Sequence, residues 1–224
     1  MTPQKAILII VTSHDRIDAL HKTGLWFEEF AVPYRLFRAQ GYKIIVASPK
    51  GGVTPLDPHN VPENIESADT RAALQALDNT VPLTNINAAH FDAVFFPGGH
   101  GTMYDLPGNP EVSRTINQCA AQDKVIAAVC HGPAAFVGAT LNDGSPLVKD
   151  RRVTMFSNAE EQAVQLADLM PFMLESRLSE LGARITAAAP WQDHCVVDGK
   201  LITGQNPQSS ASVAKAVIKL LAES

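Results

Sequence analysis

Cysteine is scarce in this sequence, which carries three such residues, Cys119, Cys130 and Cys195. An odd number without paired spacing argues against a disulfide framework, and no C-x-x-C pair is present to indicate a zinc or thiol-exchange motif. A reducing cytoplasm is therefore the expected location.

The chain also lacks a long apolar run and a concentration of positive charge. The longest apolar run near the amino terminus, residues 6–11, is too short for a transmembrane helix and has no basic flank or small-residue cleavage site. The formal net charge is -5, with no basic cluster or basic amphipathic stripe. These absences predict a protein that binds neither nucleic acid nor a membrane surface.

Segments with strand-like and helix-like patterns alternate along the chain. Their alternation is typical of an α/β fold with a mostly parallel sheet and helices on both faces. No internal repeat, low-complexity tract or linker divides the sequence, so residues 1–224 are predicted to form a single domain. The predicted strands cover residues 5–12, 43–47, 93–96, 125–129, 153–156, 195–197 and 201–203, and the predicted helices cover 25–40, 69–77, 111–122, 171–181 and 208–222.

The most informative feature is Cys130, which directly follows the apolar run 125–129 and precedes Gly132-Pro133. A cysteine at the end of a strand that turns at once into a helical pattern predicts a nucleophile elbow. The N–H groups of the following helix should point at the sulfur, lower its pKa and stabilise an oxyanion. A buried structural cysteine is the alternative interpretation of this residue taken alone.

Neighbouring motifs offer partners for a reactive thiol. His131 supplies a backbone N–H and an imidazole, either of which can serve the sulfur. Gly98-Gly99 ends the predicted strand 93–96, where glycine lets a second N–H approach closely, although an ordinary turn fits equally well. The spacing of Gly98, Gly99 and Gly101 does not fit a dinucleotide-binding loop.

Two pairs of adjacent glutamates are candidate acids. Glu28 and Glu29 lie in the first predicted helix among aromatic residues, where a buried carboxyl would have a raised pKa, although two exposed glutamates are the commoner arrangement. Glu160 and Glu161 begin a helix, where acidic residues are expected from capping and the helix dipole alone.

Two further residues, His100 and Trp191, are predicted to line a pocket, although a core position suits Trp191 equally well. The remaining histidines are scattered, and no pair has metal-ligand spacing on a helix, so no metal site is predicted.

With these motifs in order, the chain resembles the ThiJ/PfpI superfamily, which shares the fold of class I glutamine amidotransferases. The segment around Cys130 is common to the superfamily. The segments around Glu29, Trp191 and Asn206 resemble the branch of stress chaperones that act as glutathione-independent glyoxalases (glyoxalase III). The matching segments are residues 23–33, 47–49, 96–102, 128–133, 156–161, 190–191 and 203–207.

The resemblance implies roles for individual residues. Glu29, rather than Glu28, matches the family glutamate that faces the elbow. Glu161 matches the acidic member of the triad, and the adjacent Glu160 is the competitor for that position. The backbones of Gly99 and His131 match the oxyanion donors. The implied catalytic residues are Cys130, His131, Glu29 and Glu161.

The resemblance also implies a flavodoxin-like three-layer sandwich, a homodimer, and a lyase that converts methylglyoxal to lactate without metal, nicotinamide or glutathione. The His-x-Glu motif of glutamine amidotransferases is absent, which disfavours glutamine hydrolysis. Three alternatives stay open: a cysteine amidase or peptidase for small substrates, a deglycase for proteins or nucleotides, and a redox-responsive chaperone in which Cys130 is oxidised.

Overall fold

A seven-stranded sheet forms the centre of the structure, a computed structural model that describes residues 4–223. The strands of the described chain are β1 (Ala6–Ile10), β2 (Lys43–Ser48), β3 (Val81–Pro82), β4 (Ala93–Phe96), β5 (Val125–Val129), β6 (Arg152–Val153), β7 (Arg184–Ile185), β8 (Cys195–Asp198) and β9 (Leu201–Gly204). The α-helices there are α1 (Phe27–Ala39), α2 (Ala68–Leu77), α3 (Thr102–Asp105), α4 (Pro110–Ala121), α5 (Asn158–Ala163), α6 (Leu174–Glu180) and α7 (Ser210–Ala222).

The main sheet has the strand order β3-β2-β1-β4-β5-β9-β8. Its neighbours pair in parallel except β8 and β9, which form the predicted antiparallel hairpin. The strand predicted at 153–156 is wrong in extent, because only β6 is extended there, and it pairs with β7 in a separate two-stranded sheet. Since β4, β5 and β9 are parallel neighbours, their carboxyl ends meet at one edge, where parallel sheets place ligands.

Two apolar layers cover the two faces of the sheet, as β1 shows. Ile7 and Ile9 pack with residues of α1, α2 and α7, whereas Leu8 and Ile10 pack with residues of α4 and α6. All four side chains are fully buried, which contributes about 1.5–3 kcal/mol each by transfer from water. The predicted three-layer α/β sandwich is therefore confirmed. The prediction of one domain over 1–224 extends beyond the described residues at both ends.

Local sequence signals explain where several helices begin. Asn109 accepts hydrogen bonds from two N–H groups at the start of α4, whose first residue is Pro110, and Ser157 caps α5. The helical pattern after Cys130 forms only a five-residue 3₁₀ helix, Gly132–Phe136. No helix within residues 4–223 is both long and apolar enough to span a lipid bilayer.

Candidate active site

The residue at the end of β5 has a strained backbone. Cys130 has a φ of 59°, in the left-handed region that costs a residue with a side chain about 1–3 kcal/mol. Its N–H donates to the Gly204 carbonyl at 2.9 Å, and its carbonyl accepts from the Phe156 N–H at 2.9 Å. These two bonds hold the peptide from both sides. The predicted nucleophile elbow is thus present in the backbone geometry.

The turn after Cys130 packs against β4 so closely that position 132 has no room for a side chain. A Cβ on Gly132 would meet the Phe96 carbonyl oxygen at 2.1 Å. Contact with rigid backbone at this distance cannot be relieved by a side-chain rotation, so the elbow requires glycine here.

We expect Gly132→Ala to lower the free energy of unfolding by at least about 1–3 kcal/mol, the usual cost of overpacking. Gly144→Ala is the matched control, because a Cβ there meets nothing within 4 Å and adds only backbone strain. Urea titrations of both variants would measure the difference. A Gly132→Ala protein that loses less than about 1 kcal/mol would contradict the steric argument.

A chain of hydrogen bonds leads away from the sulfur. Cys130 Sγ lies 3.3 Å from His131 Nδ1, and His131 Nε2 lies 2.6 Å from Glu161 Oε2. The other oxygen, Glu161 Oε1, lies 2.7 Å from His100 Nε2. All four residues are buried. The structure therefore brings the predicted Cys-His-Glu set together and adds His100 to it.

The electrostatics of this chain of hydrogen bonds determine which nitrogen of His131 carries a proton. Burial opposes ionisation of Glu161, but His131 and His100 outweigh it and lower the pKa of the carboxyl. Burial, reinforced by the neighbouring His100, lowers the pKa of His131, which is therefore neutral near pH 7. Since Nε2 faces a carboxylate, it carries the proton. The bare Nδ1 then faces the sulfur, as a base for the thiol requires.

Glu29 reaches the same sulfur from α1. Its side chain is fully buried, and Oε2 accepts the Gly98 N–H at 2.7 Å. Its Oε1 has no hydrogen-bond partner among the described residues, and the carboxyl lies beside the elbow, because a Cβ on Gly98 would meet both Glu29 Oε2 and the backbone nitrogen of His131. Burial raises the pKa of Glu29 to about 8. Such a pKa is expected of a group that takes up and releases a proton near neutral pH.

The expectation of a lowered thiol pKa is wrong for the resting site. Burial raises the pKa of the Cys130 thiol well above its usual value, and the neighbouring Glu29 raises it further. The backbone N–H of His131 donates to the sulfur and lowers the pKa of the thiol. The 3₁₀ helix that follows is too short to add the dipole of a long helix. Activation of the sulfur therefore depends on proton transfer to His131.

In each of the two pairs of adjacent glutamates, one residue belongs to the site and the other does not. Glu28 is exposed on α1 while Glu29 is buried. Glu161 bonds to the two histidines, whereas the buried Glu160 turns back to Ser157, whose hydroxyl donates to it at 2.7 Å. Glu160 is therefore outside the hydrogen-bond chain of the sulfur.

A small, mostly apolar cavity lies over the sulfur. Its volume is about 60 Å³, which is several times the minimum of about 10–15 Å³ that admits one water molecule. Gly99 forms part of its wall with a φ of 96°, and a Cβ there would meet the Gly24 carbonyl oxygen at 2.3 Å. The lining residues are Trp26, Gly99, His100, Cys130, His131, Phe156, Val164, Trp191 and Pro207.

Sequence reasoning missed four of these lining residues. Trp26 comes three residues before Glu29, and Phe156 directly precedes the cap of α5, so both are near motifs that the sequence did single out. Val164 and Pro207 carry no chemical signal, and their place in the cavity wall follows from tertiary packing alone.

A larger hollow of about 450 Å³ lies at the opposite end of β5 and β9. Ile126, Arg151 and Leu201 are among the residues that line it, and none of the predicted site residues belongs to its wall. Volume alone would therefore select the wrong end of the sheet.

One set of side chains in the described chain has the geometry of metal ligands. The ligand atoms of His100, His131 and Glu161 lie within 4.8 Å of one another, and two histidines with a carboxylate suit zinc. In the folded site these atoms are engaged in the hydrogen bonds described above.

The whole site lies within the part of the chain that matches a known family. The profile of the DJ-1/PfpI family matches residues 24–220. The chain belongs to the DJ-1/PfpI family. Membership confirms the resemblance that the elbow and its flanking motifs indicated, and it agrees with the parallel sheet and the strained cysteine.

Three proteins are similar to this chain over most of their own length. Glutathione-independent glyoxalase hsp3101 of Schizosaccharomyces pombe is 32% identical over 214 residues, which cover 88% of this chain and 87% of that protein. The crystal structure of glyoxalase III from Candida albicans has a TM-score of 0.85 at 28% identity and covers 96% of each chain. The Rapid Encystment Protein 24 KDa of Francisella tularensis has a TM-score of 0.91 at 37% identity, covering 96% of this chain and 98% of that one.

Proposed function

We propose that this DJ-1/PfpI protein is a glutathione-independent glyoxalase, a lyase that converts methylglyoxal to lactate. One observation carries the proposal: the Cys130 sulfur lies 3.3 Å from the neutral ring of His131, and the buried carboxyl of Glu29 lies beside the same elbow, held by the Gly98 N–H. The first is a base for addition of the thiol, and the second is a separate proton carrier. Relatives named as glyoxalases support the same reaction.

The reaction begins with addition of the sulfur to the aldehyde carbon, C1. As the S–C bond forms, the thiol proton passes to His131 Nδ1, and Glu161 stabilises the charged ring. The carbonyl becomes an alkoxide, which the N–H groups of Gly99 and His131 stabilise. A donor of this kind is typically worth about 2.7–4 kcal/mol in the transition state.

Glu29 then moves a proton between the two carbons. Its carboxylate takes the hydrogen from C1 of the hemithioacetal, the electron pair forms an enediolate, and Glu29 returns the same proton to C2. The proton held by His131 passes to the C2 oxygen, which leaves the ring neutral again. C1 is oxidised to a thioester while C2 is reduced to an alcohol, so no external oxidant or reductant takes part. Water activated by His131 hydrolyses the thioester, which releases lactate and restores the Cys130 thiol.

The size of the cavity supports a small substrate. Methylglyoxal has three carbons and two oxygens, which matches a volume of about 60 Å³. A peptide would not fit this space without displacing Trp191 or Phe156, so the cavity weighs against the peptidase alternative. Homodimer formation, deglycation and chaperone activity remain predictions from the family resemblance, and a cytoplasmic location remains a prediction from the cysteine content.

We expect the purified protein to form lactate from methylglyoxal in the absence of glutathione. Enzymatic determination of lactate, with glutathione-depleted reagents, measures the reaction directly. A panel of chromogenic amides run in parallel tests the amidase alternative. Amide hydrolysis without lactate formation would refute the glyoxalase proposal.

A further inference from the structure

Glu160 is the buried carboxylate that the proposed mechanism does not use. Its side chain is fully buried and accepts five hydrogen bonds. Oε2 accepts from the Ser157 N–H at 3.0 Å, the Ser157 hydroxyl at 2.7 Å and Gln205 Nε2 at 3.1 Å. Oε1 accepts from the Trp191 N–H at 2.9 Å and Asn206 Nδ2 at 2.8 Å. This number of donors explains how a charge is tolerated without water.

The segment 187–193, which we call the strap, has no helix or strand of its own. Side chains outside it hold its backbone. Gln205 Oε1 accepts the Ala188 N–H at 2.8 Å, and Asn206 Nδ2 donates to the Gln192 carbonyl at 2.8 Å. Glu160 holds the strap between these points, through the N–H of Trp191. The position of the strap therefore depends on this small polar cluster.

Trp191 forms the part of the strap that covers the cavity. Its backbone has a φ of 65°, so it is held in a conformation that a tryptophan rarely adopts. Its ring packs edge-on against Phe156, with 5.7 Å between ring centroids, and it borders the cavity above Cys130. Because it lines the cavity and 40% of its surface is exposed, Trp191 lies at the boundary between the cavity and solvent.

From these contacts we infer that Glu160 is a positioning residue: by holding the Trp191 backbone it sets the width of the cavity and limits the site to 2-oxoaldehydes with a small substituent. This inference concerns the substrate range and so rests on the proposed function. Glu160 makes no hydrogen bond to the sulfur or to its hydrogen-bond chain, and its direct hold on the cavity wall is the Trp191 N–H.

Glu160→Gln tests the inference because it preserves shape and replaces one acceptor by a donor. An amide nitrogen at the Oε1 position would face the Trp191 N–H and Asn206 Nδ2, two donors. Asn206 cannot resolve the conflict by turning over, because its Oδ1 accepts from Ser209 and its Nδ2 also donates to Gln192. The Trp191 backbone should therefore lose its anchor.

We expect Glu160→Gln to raise the ratio of kcat/KM for phenylglyoxal to kcat/KM for methylglyoxal by about tenfold, the effect of one hydrogen bond. The loss with methylglyoxal should appear mainly in KM rather than in kcat. Glu175→Gln is the matched control, since Glu175 accepts the Asn158 N–H at the start of the same helix but makes no hydrogen bond to the strap within residues 4–223. A folded Glu160→Gln protein with an unchanged ratio would overturn the inference.

Alkylation of Cys130 provides a readout that does not require turnover. In Glu160→Gln, the rate with N-phenylmaleimide should rise about tenfold relative to the rate with iodoacetamide, measured on the Cys130 peptide by mass spectrometry. If the wild type makes no lactate, the proposed function fails, and this rate ratio still decides whether Glu160 controls access. Should Glu160→Gln not fold, Asn206→Ala, which removes a second anchor of the strap, must raise the same ratio, and no change would overturn the inference.

Discussion

Cys130→Ala should reduce lactate formation from methylglyoxal by about 10⁴-fold or more, the usual consequence of removing a nucleophile. Every proposed step after substrate binding involves a bond to this sulfur. The variant retains the oxyanion donors and both acids, so any remaining rate reports their contribution without covalent chemistry. Lactate assays at saturating methylglyoxal, together with thermal unfolding to check the fold, measure the effect.

The two other cysteines provide the controls for this substitution. Cys195 is half-buried in β8, and Cys119 lies in the core on α4, where burial raises its pKa to about 11. Cys195→Ala should leave kcat unchanged, and Cys119→Ala should reduce stability but not the rate per folded molecule. A Cys130→Ala protein that kept its rate within tenfold of the wild type would contradict the nucleophilic mechanism.

The elbow could be predicted because several local signals agree there. β5 is a run of five apolar residues buried on both faces, and Cys130 follows it directly. A strand this apolar has to lie inside a parallel sheet, and its carboxyl end then has to face the ligand edge. Sequence order alone thus places the sulfur beside the turn that ends β4.

The roles of Glu160 and Glu161 could not be separated by the same reasoning. Both occupy the first turn of α5, where any acidic residue is favoured. Successive side chains of a helix point about 100° apart, so one reaches the histidines and the other reaches Trp191. Their partners lie far away in the sequence, and only the tertiary fold brings them into contact.

The short strands were missed for a different reason. β3 and β7 contain two residues each, too few to show an alternating pattern. The raised pKa of the Cys130 thiol was missed because burial by Glu29 and Phe156 depends on distant segments. In each case the missing information was a long-range contact rather than a local preference.

Glu29→Gln should reduce kcat by about 10²–10⁴-fold, the typical contribution of a well-placed proton carrier. The amide can still accept the Gly98 N–H but cannot take a proton from C1. Addition of the sulfur requires only His131, so the variant should still form the hemithioacetal and accumulate it. Mass spectrometry of the protein in methylglyoxal, combined with lactate assays, would detect the trapped adduct.

The same substitution should change the pH dependence of stability, and the sign follows from the raised pKa. Burial raises the pKa of Glu29 from 4.5 to about 8, so the folded protein holds a proton that the unfolded chain releases. Stability from this group is complete below pH 4.5 and is lost as the pH rises to about 8, a decrease on the order of 5 kcal/mol. Glu29→Gln carries no such proton, so it should match the wild type at pH 4.5 and become the more stable protein above pH 8.

Activity and stability of the wild type should therefore move in opposite directions with pH. Glu29 must be ionised to take the proton from C1, so kcat should rise with pH and level off above about 8, while the free energy of unfolding falls over the same range. Urea titrations of the wild type and Glu29→Gln between pH 4.5 and 9 would separate this group from all others, because only the difference between the two curves counts. Parallel curves would show that the pKa of Glu29 is not raised by folding, and the predicted rise of kcat towards pH 8 would then be wrong.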